Sequence, residues 1–244
     1  MKRILSLALL LCVAATLFAA SGLTVKAGGA FDVFSLKTDK RDGDDVFFTF
    51  KGNGLGLELG VQYAFSDKIM VYTDCSAVFP VDFKMYQSDD DEPIIFSEEV
   101  KKWESHAKEL GGKATHFITL LDAAIGAAYR FDFGAIKLAV GGGAYCNYLY
   151  STLRLTGTNE GGDKVDQRTD ATFFTVGVST LADARYMVSD KVGISLTVQP
   201  QIGIYSDRKI TLYEHGHKED SSIELTGVGI SFTVPVSIGA SYSF

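Results

Sequence analysis

Residues 228–244 read VGISFTVPVSIGASYSF. Taken at every second position, Val228, Ile230, Phe232, Val234, Val236, Ile238, Ala240, Tyr242 and Phe244 form one apolar face. Gly229, Ser231, Thr233, Pro235, Ser237, Gly239, Ser241 and Ser243 form the other, small and polar. Side chains alternate across a strand, so the stretch is one long strand with an apolar side and a polar side. A tilted strand crosses a bilayer in about 9–11 residues, and this run is longer. Left open in water, such a strand would template aggregation. It therefore reads as a strand of a closed barrel, with its apolar face to lipid.

Seven earlier segments repeat the pattern. The first, Leu23 to about Leu36, turns Leu23, Val25, Ala27, Phe31 and Val33 outward and Thr24, Lys26, Gly28, Ala30 and Asp32 inward. The second sets Leu55, Leu57, Leu59, Val61, Tyr63 and Phe65 against Gly54, Gly56, Glu58, Gly60 and Gln62. The third sets Ile69, Val71, Cys75, Ala77 and Phe79 against Met70, Tyr72, Asp74 and Ser76. The fourth has Phe117, Leu121, Ile125, Tyr129 and Phe131 outward, with Asp122, Gly126 and Arg130 inward. The fifth has Ile136, Leu138, Val140 and Tyr148 outward, with Lys137, Tyr145 and Asn147 inward. In the sixth, Phe174, Val176, Val178 and Tyr186 face out and Asp183 and Arg185 face in. The seventh has Val192, Ile194, Leu196, Ile202 and Ile204 outward, opposite Ser195, Thr197, Gln199 and Gln201.

The connections alternate between long and tight. Long ones cover Lys37–Gly52, Lys84–Thr115, Gly157–Asp170 and Asp207–Ser222; tight ones sit at Ser66-Asp67, Asp132-Phe133-Gly134 and Ser189-Asp190. This is the rhythm of an up-and-down bacterial outer-membrane barrel, with short periplasmic turns and long external loops. The expected fold is therefore all-β: a transmembrane eight-stranded antiparallel barrel with both termini periplasmic. In the second external loop, Ser97 is a candidate cap for a short helix with Val100, Trp103, Ala107 and Leu110 on one face, stopped by Gly111-Gly112. Aromatic spacing provides an independent check. Phe117 and Tyr129, Phe174 and Tyr186, and Phe232 and Phe244 are outward pairs twelve residues apart. At a tilt near 40° that separation rises roughly 30 Å, about the thickness of a membrane core, as two aromatic girdles require.

The chain has 244 residues, a size that suits one barrel domain. Residues 1–21 read as a signal peptide that is removed: Lys2 and Arg3, then apolar Ile4–Phe18, then small Ala19, Ala20, Ser21 and Gly22. Residues 22–244 are the single barrel domain. Without Lys2 and Arg3 the formal charge moves from −7 to −9, which argues against nucleic acid as a partner. Cys12 falls in the leader, and Leu11 before it is not the small residue of a lipoprotein site. Cys75 and Cys146 lie mid-strand on strands that are not neighbours, so no disulfide is expected. A soluble barrel with the apolar face inside is the competing architecture. An eight-stranded interior is too narrow for that many large side chains.

With these features in view, residues Leu23–Phe244 resemble the small eight-stranded outer-membrane proteins, the OmpA-barrel, OmpX and OmpW-like superfamily. The resemblance rests on the leader, the strand and loop rhythm, and the ending Ile238-Gly239-Ala240-Ser241-Tyr242-Ser243-Phe244. It implies that Ile238, Ala240, Tyr242 and Phe244 form the terminal signal read by barrel-assembly machinery, and that outer-membrane lipid surrounds the protein.

Lys26, Glu58, Asp74, Asp122, Arg130, Lys137, Asp183 and Arg185 share the inward parity of their strands. Unpaired charges in a narrow lumen are costly, so opposite signs should pair. The leading reading is a salt-bridged plug; the alternative is a path for small polar solutes. Arg130, Lys137 and Arg185 lie near the tight turns, so charge there would be positive. An OmpW-style channel for hydrophobic compounds has less support, because the lumen reads as polar. Enzyme activity is not expected. Lipid-modifying barrels of the PagL-like kind place Ser two residues from His, and none of His106, His116, His215 or His217 has Ser two residues on. His215-Gly216-His217 offers two metal ligands, short of a site, and the acidic run Asp89–Glu92 lacks calcium-loop spacing. No cofactor or metal is expected. Trp103 on the loop helix is the candidate contact for an external ligand, although packing on its own barrel is the leading role of that helix. The expected function is thus a non-enzymatic surface barrel that displays loops for envelope integrity or external contact.

Overall fold

The computed structural model describes residues 22–38, 48–87, 94–159, 161–214, 217–218, 223–227 and 230–244. Residues 1–21, expected as a signal peptide, Asp89–Glu92, His215-Gly216, Val228-Gly229 and the side chain of Ser97 lie outside them. The elements are β1 (Leu23–Thr38), β2 (Phe48–Ala64), β3 (Ile69–Gln87), β4 (Ile94–Ile95), α1 (Phe96–Glu109), β5 (Lys113–Phe133), β6 (Ile136–Thr158), β7 (Lys164–Met187), β8 (Val192–Val198), β9 (Gln201–Glu214), β10 (His217–Lys218), β11 (Ile223–Gly227) and β12 (Ser231–Ser243).

Strands pair antiparallel in the order β1-β2-β3-β5-β6-β7. Next comes a seventh stave made of β8 and β9, which β12 joins before it closes on β1. Eight staves thus form a ring without a free edge, which is how a strand so apolar on one face avoids aggregating. Thr24 opposite Ser243 and Ser35 opposite Phe232 mark the two ends of the closing seam.

The alternation read from the sequence holds through the middle of every stave. Leu57 is 71% exposed and Ile238 63%, while Glu58 and Ser237 beside them are buried. Leu23 departs from expectation: it is buried, because Tyr63 lies across from it on β2 and Phe244 bonds to its carbonyl. The outer face carries two aromatic bands. Tyr63 with Phe65, Tyr129 with Phe131, and Tyr242 with Phe244 pair at ring separations of 5.0 Å at the end with tight turns. Phe79, Phe117 and Tyr150 follow one another at 6.3 Å at the other end.

Each tight turn is tied by a side chain. Ser66 Oγ accepts from Lys68 and Ile69, Ser189 Oγ from Lys191 and Val192, and Asp132 Oδ1 from Gly134. Gly134 has φ +76°, a conformation that glycine adopts without strain.

The long connections are shorter than the sequence suggested. β6 runs to Thr158 and β7 starts at Lys164, so most of Gly157–Asp170 is strand. β9 reaches Glu214 and pairs with β11 through the expected loop Asp207–Ser222. Polar cross-strand pairs carry these extensions: Arg154 bonds Asp166 twice at 2.8 Å, and Thr152 donates to Asp170 at 2.7 Å. In the loop between β3 and β5, α1 has Glu98 and Glu99 in its first turn and His106 and Lys108 in its last, matching the helix dipole. It ends at Gly111, φ +62°, with Gly112 N–H bonded to the Ala107 carbonyl. Val100 and Ala107 are buried against the barrel.

Candidate functional site

The interior is layered from the turn end to the loop end. Outermost at the turn end is a cavity of about 170 Å³ that Arg130, Lys137 and Arg185 line together with Thr24, Gln62 and Asp183. Lys137 stays at the rim, 3.9 Å from the exposed Asp132 of its own turn.

Above it lies the ion-pair layer. Lys26 is 2% exposed, and its Nζ stands 3.2 Å from Asp74, 3.3 Å from Asp183 and 3.6 Å from Glu58. It also donates to Thr197 Oγ1 at 3.0 Å, and Thr197 donates to Asp183 at 2.8 Å. Arg185 reaches Asp183 at 3.4 Å, Thr24 at 3.3 Å and the carbonyl oxygen of Gln62. Side chains from β1, β2, β3, β7 and β8 thus converge on one point inside the ring. Gly60 makes the convergence physical. It sits in register between Lys26 and Asp74, and a Cβ there would overlap Asp74 Oδ1 and stand 2.7 Å from Lys26 Cε. On the opposite wall Met70, Tyr72, Ala124, Ala128, Ala139, Tyr145 and Leu181 pack as an apolar cluster, with the Tyr72 ring against Gly126.

Not every expected charge joins this layer. Asp122 sits higher and accepts from Gln201 at 2.9 Å; near it Asn147 donates to Thr233 at 3.3 Å. Arg130 and Lys137 remain in the turn-end cavity. Asp32, inward by parity, is a further interior acid outside the expected charge network. It is fully buried, and its carboxylate has no hydrogen-bond partner among the described residues.

The loop-end half corrects the expectation of a polar lumen. Ala30, Phe34, Leu36, Phe50, Val78, Phe83, Leu120, Leu149 and Phe173 form a contiguous apolar core there. Phe50 stacks on Phe83 at 5.5 Å and meets Phe173 edge-on at 5.8 Å. The reason is length: the strands continue past the charged layer, and their inward positions there carry large apolar side chains. Two β-bulges add residues that simple alternation sends elsewhere. One, opposite Asn53 and Gly54, sits at Pro80–Asp82 and turns Phe83 inward. The other, opposite Val176 and Gly177, sits at Gly203–Tyr205 and turns Ser206 and Arg208 inward. Arg208 lies 4.8 Å from the Phe50 ring centre.

Above this core a cavity of about 380 Å³ opens at the mouth, with Phe50, Phe83, Leu149, Phe173 and Arg208 in its wall and Trp103 and Glu99 of α1 at its cover. Trp103 is therefore half-buried against its own barrel. His106 points away, 3.3 Å from Glu109 on the exposed side of α1. The girdle residues Phe117, Tyr129, Phe174, Tyr186, Phe232 and Phe244 are all exposed on the outer surface, as are Ile238 and Tyr242 of the terminal segment. Cys75 and Cys146 are free thiols, each directly opposite Ala123 on β5, which separates them.

Neither a family model nor a curated protein matches the sequence. Solved structures do match the fold. The outer membrane protein OprG from Pseudomonas aeruginosa aligns with TM-score 0.52 at 16% identity, covering 92% of this chain and 96% of that one. A major outer membrane protein from Thermus thermophilus aligns with TM-score 0.52 at 12% identity, covering 88% of this chain and 99% of that one. With ring closure, outward apolar alternation and two aromatic bands, the chain has the fold of the small eight-stranded outer-membrane β-barrels.

Proposed function

We propose that this chain is an integral bacterial outer-membrane protein, turn end to the periplasm, that works without catalysis as a closed scaffold for its loop end. The observation that carries the reading is the convergence of Lys26 on Glu58, Asp74 and Asp183 inside the ring, with a packed apolar core above it. A buried cation held by three carboxylates opposes solute passage, and the wide loop-end extensions are the surface left for external contact. Conductance of the mature barrel in a planar bilayer tests it. The expected result is a fully inserted, heat-modifiable and silent protein. Reproducible openings that change when Arg130 or Asp122 is neutralised would overturn the plug in favour of a narrow polar pore.

A second reading has one observation in its favour. The mouth cavity is walled by Phe50, Phe83, Leu149 and Phe173, which suits a small apolar molecule better than a polar one. In that reading the loop end takes up such a compound from outside, beneath α1.

A further inference from the structure

The outer wall beyond the lipid-facing belt differs from one side of the barrel to the other. On β6 and β7 Arg154 and Arg168 stand directly across from each other, and each carries its own counter-charge, Asp166 and Asp170. On β2 and β3 two facing lysines have, among the described residues, a single carboxylate at ion-pair distance, Asp82. Lys37, Lys51 and Lys84 occupy outer-face positions on three adjacent strands. Lys51 lies across from Ser35 on one side and directly across from Lys84 on the other; Lys37, one outer position further along β1, lies across from Thr49. Alternation from Leu55 puts Asn53 and Lys51 on the outer face. The bulge at Pro80–Asp82 puts Asp82, Lys84 and Tyr86 there too.

Two lysines directly opposite each other on one face of an antiparallel pair repel. Among the described residues, Asp82, 3.9 Å from Lys84, is the one carboxylate within ion-pair distance of either. Lys51 also lies 4.8 Å over the Tyr86 ring, which holds its ammonium at the surface. Just below, toward the middle of the wall, Leu55 pairs with Phe79, and Val81 projects from the bulge at 72% exposure. The same strip therefore presents apolar surface for acyl chains and, one step beyond it, the facing lysines Lys51 and Lys84, with Lys37 one outer position further along β1. Lysine stems can lie along such a surface while their heads reach the interface.

We propose that this face binds the phosphate of an anionic outer-leaflet lipid, its acyl chains along Leu55, Phe79 and Val81 and its phosphate between Lys51 and Lys84 with Lys37 beside them. The inference rests on the loop end facing the outer leaflet of an outer membrane.

The test compares the mature barrel with the variant Lys51→Gln/Lys84→Gln, each refolded into phosphatidylcholine vesicles with and without diphosphorylated lipid A. Insertion is read by heat-modifiable migration in vesicles lacking lipid A, and bound lipid A is counted by native mass spectrometry after detergent extraction. The expected result is that both proteins insert, and that the variant holds lipid A about 30-fold more weakly, from two lysines at the usual gain for a basic residue at an anionic surface. Lys102→Gln/Lys108→Gln on the exposed side of α1 removes the same charge and is expected to keep lipid A. Equal retention by parent and Lys51→Gln/Lys84→Gln overturns the proposal while leaving the barrel reading intact. So does displacement of lipid A by inorganic phosphate, which would mark a site for the free ion. A parent that fails to insert overturns both.

Discussion

Replacing Lys26 with methionine isolates the plug. Methionine keeps an unbranched apolar stem of similar length and removes the one ammonium that faces Asp74, Asp183 and Glu58, at 3.2, 3.3 and 3.6 Å. Of these three, only Asp183 also meets Arg185, at 3.4 Å. Glu58 and Asp74, both buried, are then left without a cation among the described residues. Removing one partner of a buried ion pair costs about 3–5 kcal/mol, because the other charge stays desolvated. The folding equilibrium constant should fall by roughly 10²- to 10⁴-fold. With a urea m-value of about 2–3 kcal/mol/M, the unfolding midpoint should drop by roughly 1–2.5 M. The assay is reversible urea unfolding of the vesicle-inserted barrel, read by the shift in migration of unheated samples. Lys137→Met is the matched control. Its partner Asp132 is exposed and 3.9 Å away, so its loss should stay within about 1 kcal/mol. Adding Glu58→Gln and Asp74→Asn to Lys26→Met should recover most of the midpoint. A Lys26→Met barrel as stable as Lys137→Met, or a triple variant with no recovery, would refute the view that this cation holds the lumen closed.

Gly60→Ala should lower the same midpoint by a smaller amount, at about 1–3 kcal/mol for overpacking, because its methyl group enters the space between Asp74 and Lys26; an unchanged midpoint would mean that the pair is loosely held. Trp103 is the single tryptophan of the chain and lines the mouth cavity, so its emission reports on cavity occupancy. A short brominated alcohol should quench it saturably, and Ala171→Phe, which fills the cavity wall, should leave only linear quenching; linear quenching in the parent would refute uptake at the mouth.

Much of the architecture was legible in the sequence because a strand has a period of two and a bilayer asks for apolar side chains on one face only. The alternation of Val228–Phe244, repeated seven times with Ser or Asp at the tight turns, leads to eight staves and a closed ring. Lys26, Glu58, Asp74, Asp183 and Arg185 could be named as interior charges from parity alone. Which of them pair was not legible, since pairing depends on register and height. Asp122 and Asp74 look alike in sequence, yet one accepts a hydrogen bond from Gln201 and the other forms an ion pair with Lys26.

The loop end is the part least legible in the sequence. Polar segments such as Lys164–Asp170 lack apolar alternation and look like loop, but hydrogen bonding to β6 and pairs such as Arg154 with Asp166 keep them in the sheet. The mouth cavity depends on residues that parity misplaces. Phe83 follows the odd count that faces outward lower on β3, and Arg208 falls in what reads as a polar loop. One extra residue at Val81 and another at Ile204 shift the count and turn both inward. Local alternation thus determined which faces meet lipid, because that choice is made residue by residue along one strand. Pairing of the interior charges and formation of the apolar mouth were decided only in the tertiary structure, because both depend on how neighbouring strands are offset and where a bulge breaks the count.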